Sequence, residues 1–367
     1  MCGIATFTKD LTEAINDQNP EALGEIIAMN DTQEGYDYPW EVKLRIDNTK
    51  PEDYIAAAQY INQSSADVVC LQHEFGLFGG SQGDFIVPML EMITKPIVTN
   101  FHTIVPEPDE DYLYVMKRII ELSDAVVAMS SASAKDLAQQ YDCDENKIAI
   151  IHHGVPKFAL EDTGAAKKEL GIAEGRMVMV SGLINPGKGF EYVIKAMPSV
   201  LEKFPDTQLY IVGQTHPQIR RRQKETYREQ LLALIHENKL DDNVVLIDEF
   251  LELPKLTDYY RAADIYITPH LDPQQPTSGT LAKALGAGKV CISTPFFYAQ
   301  EMLAEDTGIL VPFADAESIS KSICRVLGDE EVYKEYRRKA YTKGKMMQWP
   351  KIAKQYLDLY SYVIKKD

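Results

Sequence analysis

The run Met177-Val-Met-Val-Ser-Gly182-Leu-Ile-Asn-Pro-Gly187-Lys188-Gly189 has the makings of an anion site. An apolar strand, a glycine-containing loop and a helix start leave backbone N–H groups at the positive end of a helix dipole, where a phosphate is favoured. Lys188 adds a point charge. The spacing G-x-x-x-x-G-K matches a nucleotide-binding P-loop up to its last position. There Gly189 replaces the hydroxyl residue that would hold magnesium, so P-loop chemistry is not expected. The plain alternative is a strand-to-helix turn with a solvated lysine. A second run, Pro276-Thr-Ser278-Gly279-Thr280-Leu-Ala-Lys283-Ala-Leu-Gly286-Ala-Gly288-Lys289, offers the same kind of helix start. Hydroxyls and bare N–H groups at Ser278, Gly279 and Thr280 suit phosphate oxygens. Two anion-ready helix starts in one half of the chain favour a diphosphate over either feature alone.

The first half carries different chemistry. His73 and Glu74 follow an apolar run, and His102 follows the next one. Histidines where strands end can donate to a substrate hydroxyl or meet a developing charge; the plain alternative is a hydrogen-bonded histidine capping a core strand. Cys2-Gly3-Ile4-Ala5-Thr6 is a third glycine turn opening a helix, with Gly3 placed for a phosphate or sugar contact. Asp109-Glu110-Asp111 spells a D-x-D triplet, but 55 acidic residues make such a triplet expected by chance. Arg220, Arg221, Arg222 and Lys224 read as a solvated charge run, and His152-His153 has no partner four residues away for a zinc site.

These groups need a scaffold at strand ends. Short Val- and Ile-rich runs recur at 25–29, 67–72, 97–101, 125–129, 147–152, 177–181, 208–212, 244–248, 265–268, 290–293 and 309–311. They lack period-2 alternation, the mark of parallel strands buried on both faces. Between them lie amphipathic helices. Ile4, Phe7, Leu11 and Ile15 share one face, as do Val193, Ile194, Met197, Val200, Leu201 and Phe204. The repeated alternation predicts an α/β protein with parallel sheets. The polar, turn-prone stretch 157–166 divides five strands from six and is read as a linker between two doubly wound domains, with ligands beyond the carboxyl ends of their strands.

The 367 residues fit about two domains at roughly 100–200 residues each. A net charge of −17 argues against nucleic acid as partner, because phosphate neutralisation supplies most of that affinity. It also argues against a broad basic membrane footprint, though a local patch is compatible with peripheral membrane contact. Five widely spaced cysteines without a C-x-x-C pair point to a reducing, cytoplasmic setting. No transmembrane segment or signal peptide is expected.

Taken in order, these pieces resemble glycosyltransferase family 4, the retaining enzymes of the GT-B fold, and within it the mannosyltransferase-like branch. The resemblance rests on Cys2-Gly-Ile-Ala-Thr-Phe-Thr8, Gln72-His-Glu-Phe-Gly76, the stretch at His102, His153-Gly-Val155, the Lys188 loop and the Ser278-Gly-Thr helix start. Thr307-Gly-Ile-Leu-Val-Pro312 and Trp349-Pro-Lys-Ile-Ala-Lys-Gln-Tyr356 complete it. It implies two facing Rossmann-like domains, an acceptor-side domain at 1–156 and a nucleotide-sugar domain at 165–348, with a last helix at 349–367 crossing back to the first. It implies transfer of a hexose, most simply mannose from GDP-mannose, to a hydroxyl of a glycan or lipid-linked acceptor, with no metal and no further cofactor. Lys188, Gly182, Ser278, Gly279, Thr280 and Gly3 would then hold the donor. His102 would contact its sugar, and His73 and Glu74 would lie on the acceptor or sugar side.

Three departures stand out. Leu183 replaces the family's arginine, and Gln275 and Lys283 occupy the positions of its two glutamates. Only Met1 precedes Cys2, where the family has a strand, so either the true start lies upstream of Met1 or the first domain lacks its central strand. Lys283 could supply the charge that Leu183 does not. A degenerate, non-catalytic protein binding a nucleotide sugar or a partner is the alternative reading.

Overall fold

The computed structural model describes residues 3–32, 35–105, 107–172 and 175–366. Cys2, part of the expected glycine turn, lies outside them, as does Met1. The chain divides into two units: residues up to Gly154 together with those from Trp349 onward, and Val155–Gln348.

The first unit contains β1 (Ile26–Asn30), β2 (Val42–Asp47), β3 (Val69–His73), β4 (Ile97–Phe101), β5 (Ala125–Ala128) and β6 (Ile148–Ile150). β3 to β6 form one parallel sheet in that order, and β1 pairs in parallel with β2 in a separate ladder. Among the described residues β3 has β4 as its sole ladder partner. β4 and β5 are buried along their whole length, as their apolar runs predict. β2 was not expected. Its Val42, Leu44 and Ile46 alternate with Lys43, Arg45 and Asp47, and only Ile46 is fully buried. A search for continuous apolar runs passes over a strand buried on one face alone.

The helix Gly3–Gln18 buries Phe7, Leu11 and Ala14 on the expected face. They share a core with Val98, Val127 and, from the last helix Trp349–Lys366, Trp349, Ile352, Tyr356 and Val363. The two helices therefore cover one side of the β3–β6 sheet. A Cβ at Gly154 would lie 2.2 Å from the Trp349 ring, so the residue at 154 has to be glycine for the last helix to seat.

The second unit contains β7 (Arg176–Ser181), β8 (Thr207–Val212), β9 (Val244–Ile247), β10 (Ile265–Thr268), β11 (Val290–Ser293) and β12 (Ile309–Leu310). All pair in parallel, in the order β12-β11-β10-β7-β8-β9. The chain thus winds outward from β7 in one direction and from β10 in the other. The crevice at such a reversal, beyond the carboxyl ends of the two strands, is where open α/β sheets receive ligands. The helix Phe190–Leu201 packs Val193, Ile194, Met197 and Val200 beneath the sheet. The stretch 157–166, read above as a linker, is part of this unit. Phe158 is 4% exposed within its core, and a helix starts at Thr163.

Candidate functional site

β7 and β10 deliver the two glycine-rich runs to one place. After β7 the chain passes Gly182, makes a single tight turn over Pro186–Lys188 and enters the helix Phe190–Leu201 through Gly189 at φ +65°. A Cβ at Gly189 would lie 2.2 Å from the Pro269 carbonyl oxygen, just beyond β10. The Leu271 N–H donates to the Gly187 carbonyl at 2.9 Å, which stitches the two loops together. At Gly182 the nearest neighbour a Cβ would meet is Thr280, at 3.9 Å.

The helix Gly279–Gly286 begins at that point. Ser278 caps it, its Oγ accepting from the Leu281 N–H at 3.3 Å. A helix cannot satisfy its own first N–H groups. Those of Gly279 and Thr280 make no hydrogen bond among the described residues. Beneath them, Tyr260 Oη donates to the Thr280 carbonyl at 3.2 Å, and the Ser181 hydroxyl lies 2.9 Å from both Tyr260 and Tyr266 Oη. This buried hydroxyl network fixes the helix start on the sheet. Lys283, one turn in, reaches back to the Gly279 carbonyl at 3.4 Å. Gln275 Nε2 donates to the Thr277 carbonyl at 2.8 Å.

Lys188 is half-buried. Burial of its ammonium pushes its pKa down to about 8, against a smaller upward pull from Asp272. Its Nζ lies 3.2 Å from Nε2 of His270, a residue two positions beyond β10 that the sequence reading passed over. The signal that singled out the other histidines, a position just past a strand, applies equally to His270. Gly182, Lys188, Ser278, Gly279, Thr280 and Lys283 thus gather on the carboxyl rim of one unit. What they form is a cationic, donor-rich rim in which, among the described residues, no carboxylate is hydrogen-bonded to Lys188.

His73, Glu74, His102 and Gly3 belong to the other unit. His73 is the last residue of β3 and is 3% exposed, its ring 5.7 Å from that of Phe78 and 5.2 Å from that of Phe101. Burial pushes it down to about 4. It is a neutral, buried residue packed against those rings. Glu74 sits half-buried at the strand end. Its Oε1 accepts from its neighbour Phe75 N–H at 2.8 Å, its Oε2 from Thr103 Oγ1 at 3.0 Å, and burial raises its pKa.

His102, just past β4, lies edge-on to Phe7 with centroids 4.8 Å apart. Burial, and then the neighbouring His73, push it down to about 3, so it is neutral throughout the ordinary pH range. Its Nε2 is 2.8 Å from Gln72 Oε1, which also accepts from Asn100 Nδ2 at 2.8 Å. An amide oxygen only accepts. Nε2 therefore carries the proton, and Nδ1 is left as an acceptor suited to a hydroxyl. Gly3, at the first turn of its helix, has open space around it.

The groups set aside above have structural tasks. Asp109 caps the helix Glu110–Leu122 through Tyr112 N–H at 2.8 Å. His152 Nδ1 lies 3.0 Å from the Met129 carbonyl oxygen, and Arg220 pairs with Glu225 at 2.9 Å.

Residues 36–157 match the model of Glycosyltransferase Family 4, and residues 174–329 that of Glycosyl transferases group 1. A phosphatidyl-myo-inositol mannosyltransferase of Mycolicibacterium smegmatis is 26% identical over 192 residues, 52% of this chain and 46% of that protein. A D-inositol 3-phosphate glycosyltransferase of Xylanimonas cellulosilytica is 23% identical over 294 residues, 74% of this chain and 67% of that protein. The chain thus spans about half to two thirds of the length of these curated relatives.

Among solved structures, the sucrose-phosphate synthase of Thermosynechococcus elongatus superposes with a TM-score of 0.79 at 19% identity, covering 100% of this chain and 94% of its own. Anabaena HepE in complex with UDP gives 0.75 at 15% identity, covering 98% and 96%. These likenesses concern the fold, two Rossmann-like parallel-sheet units of the GT-B type. With the two family models matched in chain order, one on each unit, the chain belongs to glycosyltransferase family 4.

Proposed function

We propose that the protein transfers a hexose from a nucleoside diphosphate sugar to a hydroxyl on a glycan or lipid-linked acceptor. The observation that carries this reading is the rim of the second unit. Lys188 and the unpaired N–H groups of Gly279 and Thr280 lie in the loops that follow β7 and β10, at the reversal of strand order, where a departing diphosphate would need them. Stabilising that leaving group is electrostatic work that an ammonium and aligned N–H dipoles can perform without a metal. Lys283 adds a second positive charge at the same helix start. On the first unit, the bare Nδ1 of His102 would accept a hydrogen bond from a sugar hydroxyl.

Mannose from GDP-mannose is our reading of the donor, supported by the matched mannosyltransferase. The HepE structures hold UDP and UDP-glucose, which makes UDP-sugars the competing donors. Retention of configuration, independence of metal and a cytoplasmic setting belong to the same proposal. Incubation with GDP-mannose and UDP-glucose, with and without a chelator, tests it by release of the nucleoside diphosphate and by the anomeric configuration of the product. Lys188→Ala is expected to weaken diphosphate binding on the order of 10- to 100-fold, the worth of a hydrogen bond to a charged group. Unchanged affinity would remove Lys188 from the site.

A second reading has one observation in its favour. Gln275 and Lys283 stand where the resemblance places glutamates, and both are turned onto local carbonyls. A protein that binds a nucleotide sugar without turning it over would fit that pattern. Tight donor binding with no product over long incubation separates it from the first reading.

A further inference from the structure

His270 is 1% exposed, and its place is set from three sides. Its ring stacks on Phe296 with centroids 5.1 Å apart and planes 24° from parallel. Its carbonyl accepts from Thr294 Oγ1 at 2.5 Å, and its Nε2 meets Lys188 Nζ at 3.2 Å. An ammonium has no lone pair, so Nζ donates and Nε2 accepts. The proton of the neutral ring is therefore on Nδ1, which has no hydrogen-bond partner. A buried N–H without an acceptor carries a cost. The packing thus holds the ring in a tautomer that serves Lys188 rather than the ring itself.

We propose that His270 is the positioning residue of this site: a neutral acceptor that directs the Lys188 ammonium without cancelling its charge. The proposal rests on the reading of the site as a diphosphate site. A carboxylate in the same place would hold Nζ equally well, but the pair would be neutral and a phosphate would gain little. With no acceptor, the flexible four-carbon stem would have to be ordered at the moment of binding. An imidazole kept neutral avoids both outcomes and leaves two ammonium N–H groups for phosphate oxygens. Burial and the ammonium itself keep the ring uncharged. The other polar groups influencing this pair are Asp272, which favours the charged lysine, His216, which feels the lysine's charge, and Gln275, which favours the charged ring without an ordinary hydrogen bond to Nδ1.

The test compares His270→Leu, which keeps bulk and removes the acceptor, with His270→Gln, whose amide oxygen can replace Nε2, and His270→Glu, which adds a charge. GDP and UDP affinities are measured by calorimetry from about pH 7 to about pH 9. Separately, the titration of Lys188 is read by competitive acylation and mass spectrometry on protein without nucleotide. We expect His270→Leu to weaken diphosphate binding about tenfold and to lower the Lys188 pKa, with His270→Gln restoring both to within about twofold. His270→Glu should raise the Lys188 pKa and still weaken binding. The proposal is overturned if His270→Leu leaves affinity and Lys188 titration unchanged, or if His270→Gln is as impaired as His270→Leu, which would make the ring a packing element. If the wild-type protein binds neither nucleotide, the functional reading fails, and the acylation experiment still decides whether His270 holds Lys188.

Discussion

At the scale of single residues, the decisive distinction is between histidines that share a sequence context. His73, His102 and His270 all stand at or just past the end of a parallel strand. Successive side chains along a strand face opposite sides of the sheet. His73 is still inside β3, and its ring goes into the core with Phe78 and Phe101. His102 and His270 lie beyond their strands and meet Gln72 and Lys188 instead. Lys188 gives the pH prediction. With its pKa held near 8, it is charged below that value and loses its proton above it. Diphosphate affinity is therefore expected to fall as pH rises through about 8. A bound dianion would raise the lysine's pKa, so binding near pH 8 should take up protons. Calorimetry in buffers of different ionisation enthalpy measures that uptake, and Lys188→Met should abolish it.

At the scale of elements, the site depends on two loops lying closer than side chains normally permit. Gly189 answers two demands at once. Its positive φ disfavours any Cβ, and a Cβ there would overlap the Pro269 carbonyl. Gly189→Ala should force the β7 and β10 loops apart, costing about 1–3 kcal/mol of stability. It should also move Lys188 away from the helix start at Gly279. Chemical denaturation and nucleotide calorimetry on the same variant check the two effects together. A loss of stability with unaltered nucleotide affinity would show that the loop contact supports the fold alone. The elements were mostly legible in the sequence, because short apolar runs leave a composition signal in every strand of the six-stranded sheet, even at its edges, where β9 and β12 are only partly buried. β2 was not, because a half-exposed strand carries its signal in alternation.

At the scale of the whole molecule, buried neutral histidines link stability to pH. His73 is held near 4 and His102 near 3, both from an ordinary value of 6.5, and His270 is held well below it. Each therefore binds more protons in the unfolded chain than in the folded one as pH falls below about 6.5. Stability from this source is fully present above that pH. It is lost on acidification towards the folded values, at up to about 1.4 kcal/mol per pH unit for each group. His73 and His102 lie in the first unit; the second holds His270 and the less buried His216, whose pKa burial also lowers, so the larger effect falls on the first. Calorimetry at pH 7 and pH 5 should show the first unit's transition falling further than the second's. His73→Leu should remove part of the difference. Equal shifts in the two transitions would refute the assignment.

The amino-acid sequence by itself determined the class of fold, nearly all the strands, the two glycine-rich loops and the lysine in the first of them. Those features are local: hydrophobic period, glycine spacing and helix starts are written within a dozen residues. It could not determine that the loops after β7 and β10 leave adjacent strands in opposite directions, that His270 rather than a carboxylate meets Lys188, or that His73 is core. Each of these depends on strand order and on which way one side chain faces. Contacts between residues some eighty positions apart are made only when the sheet assembles.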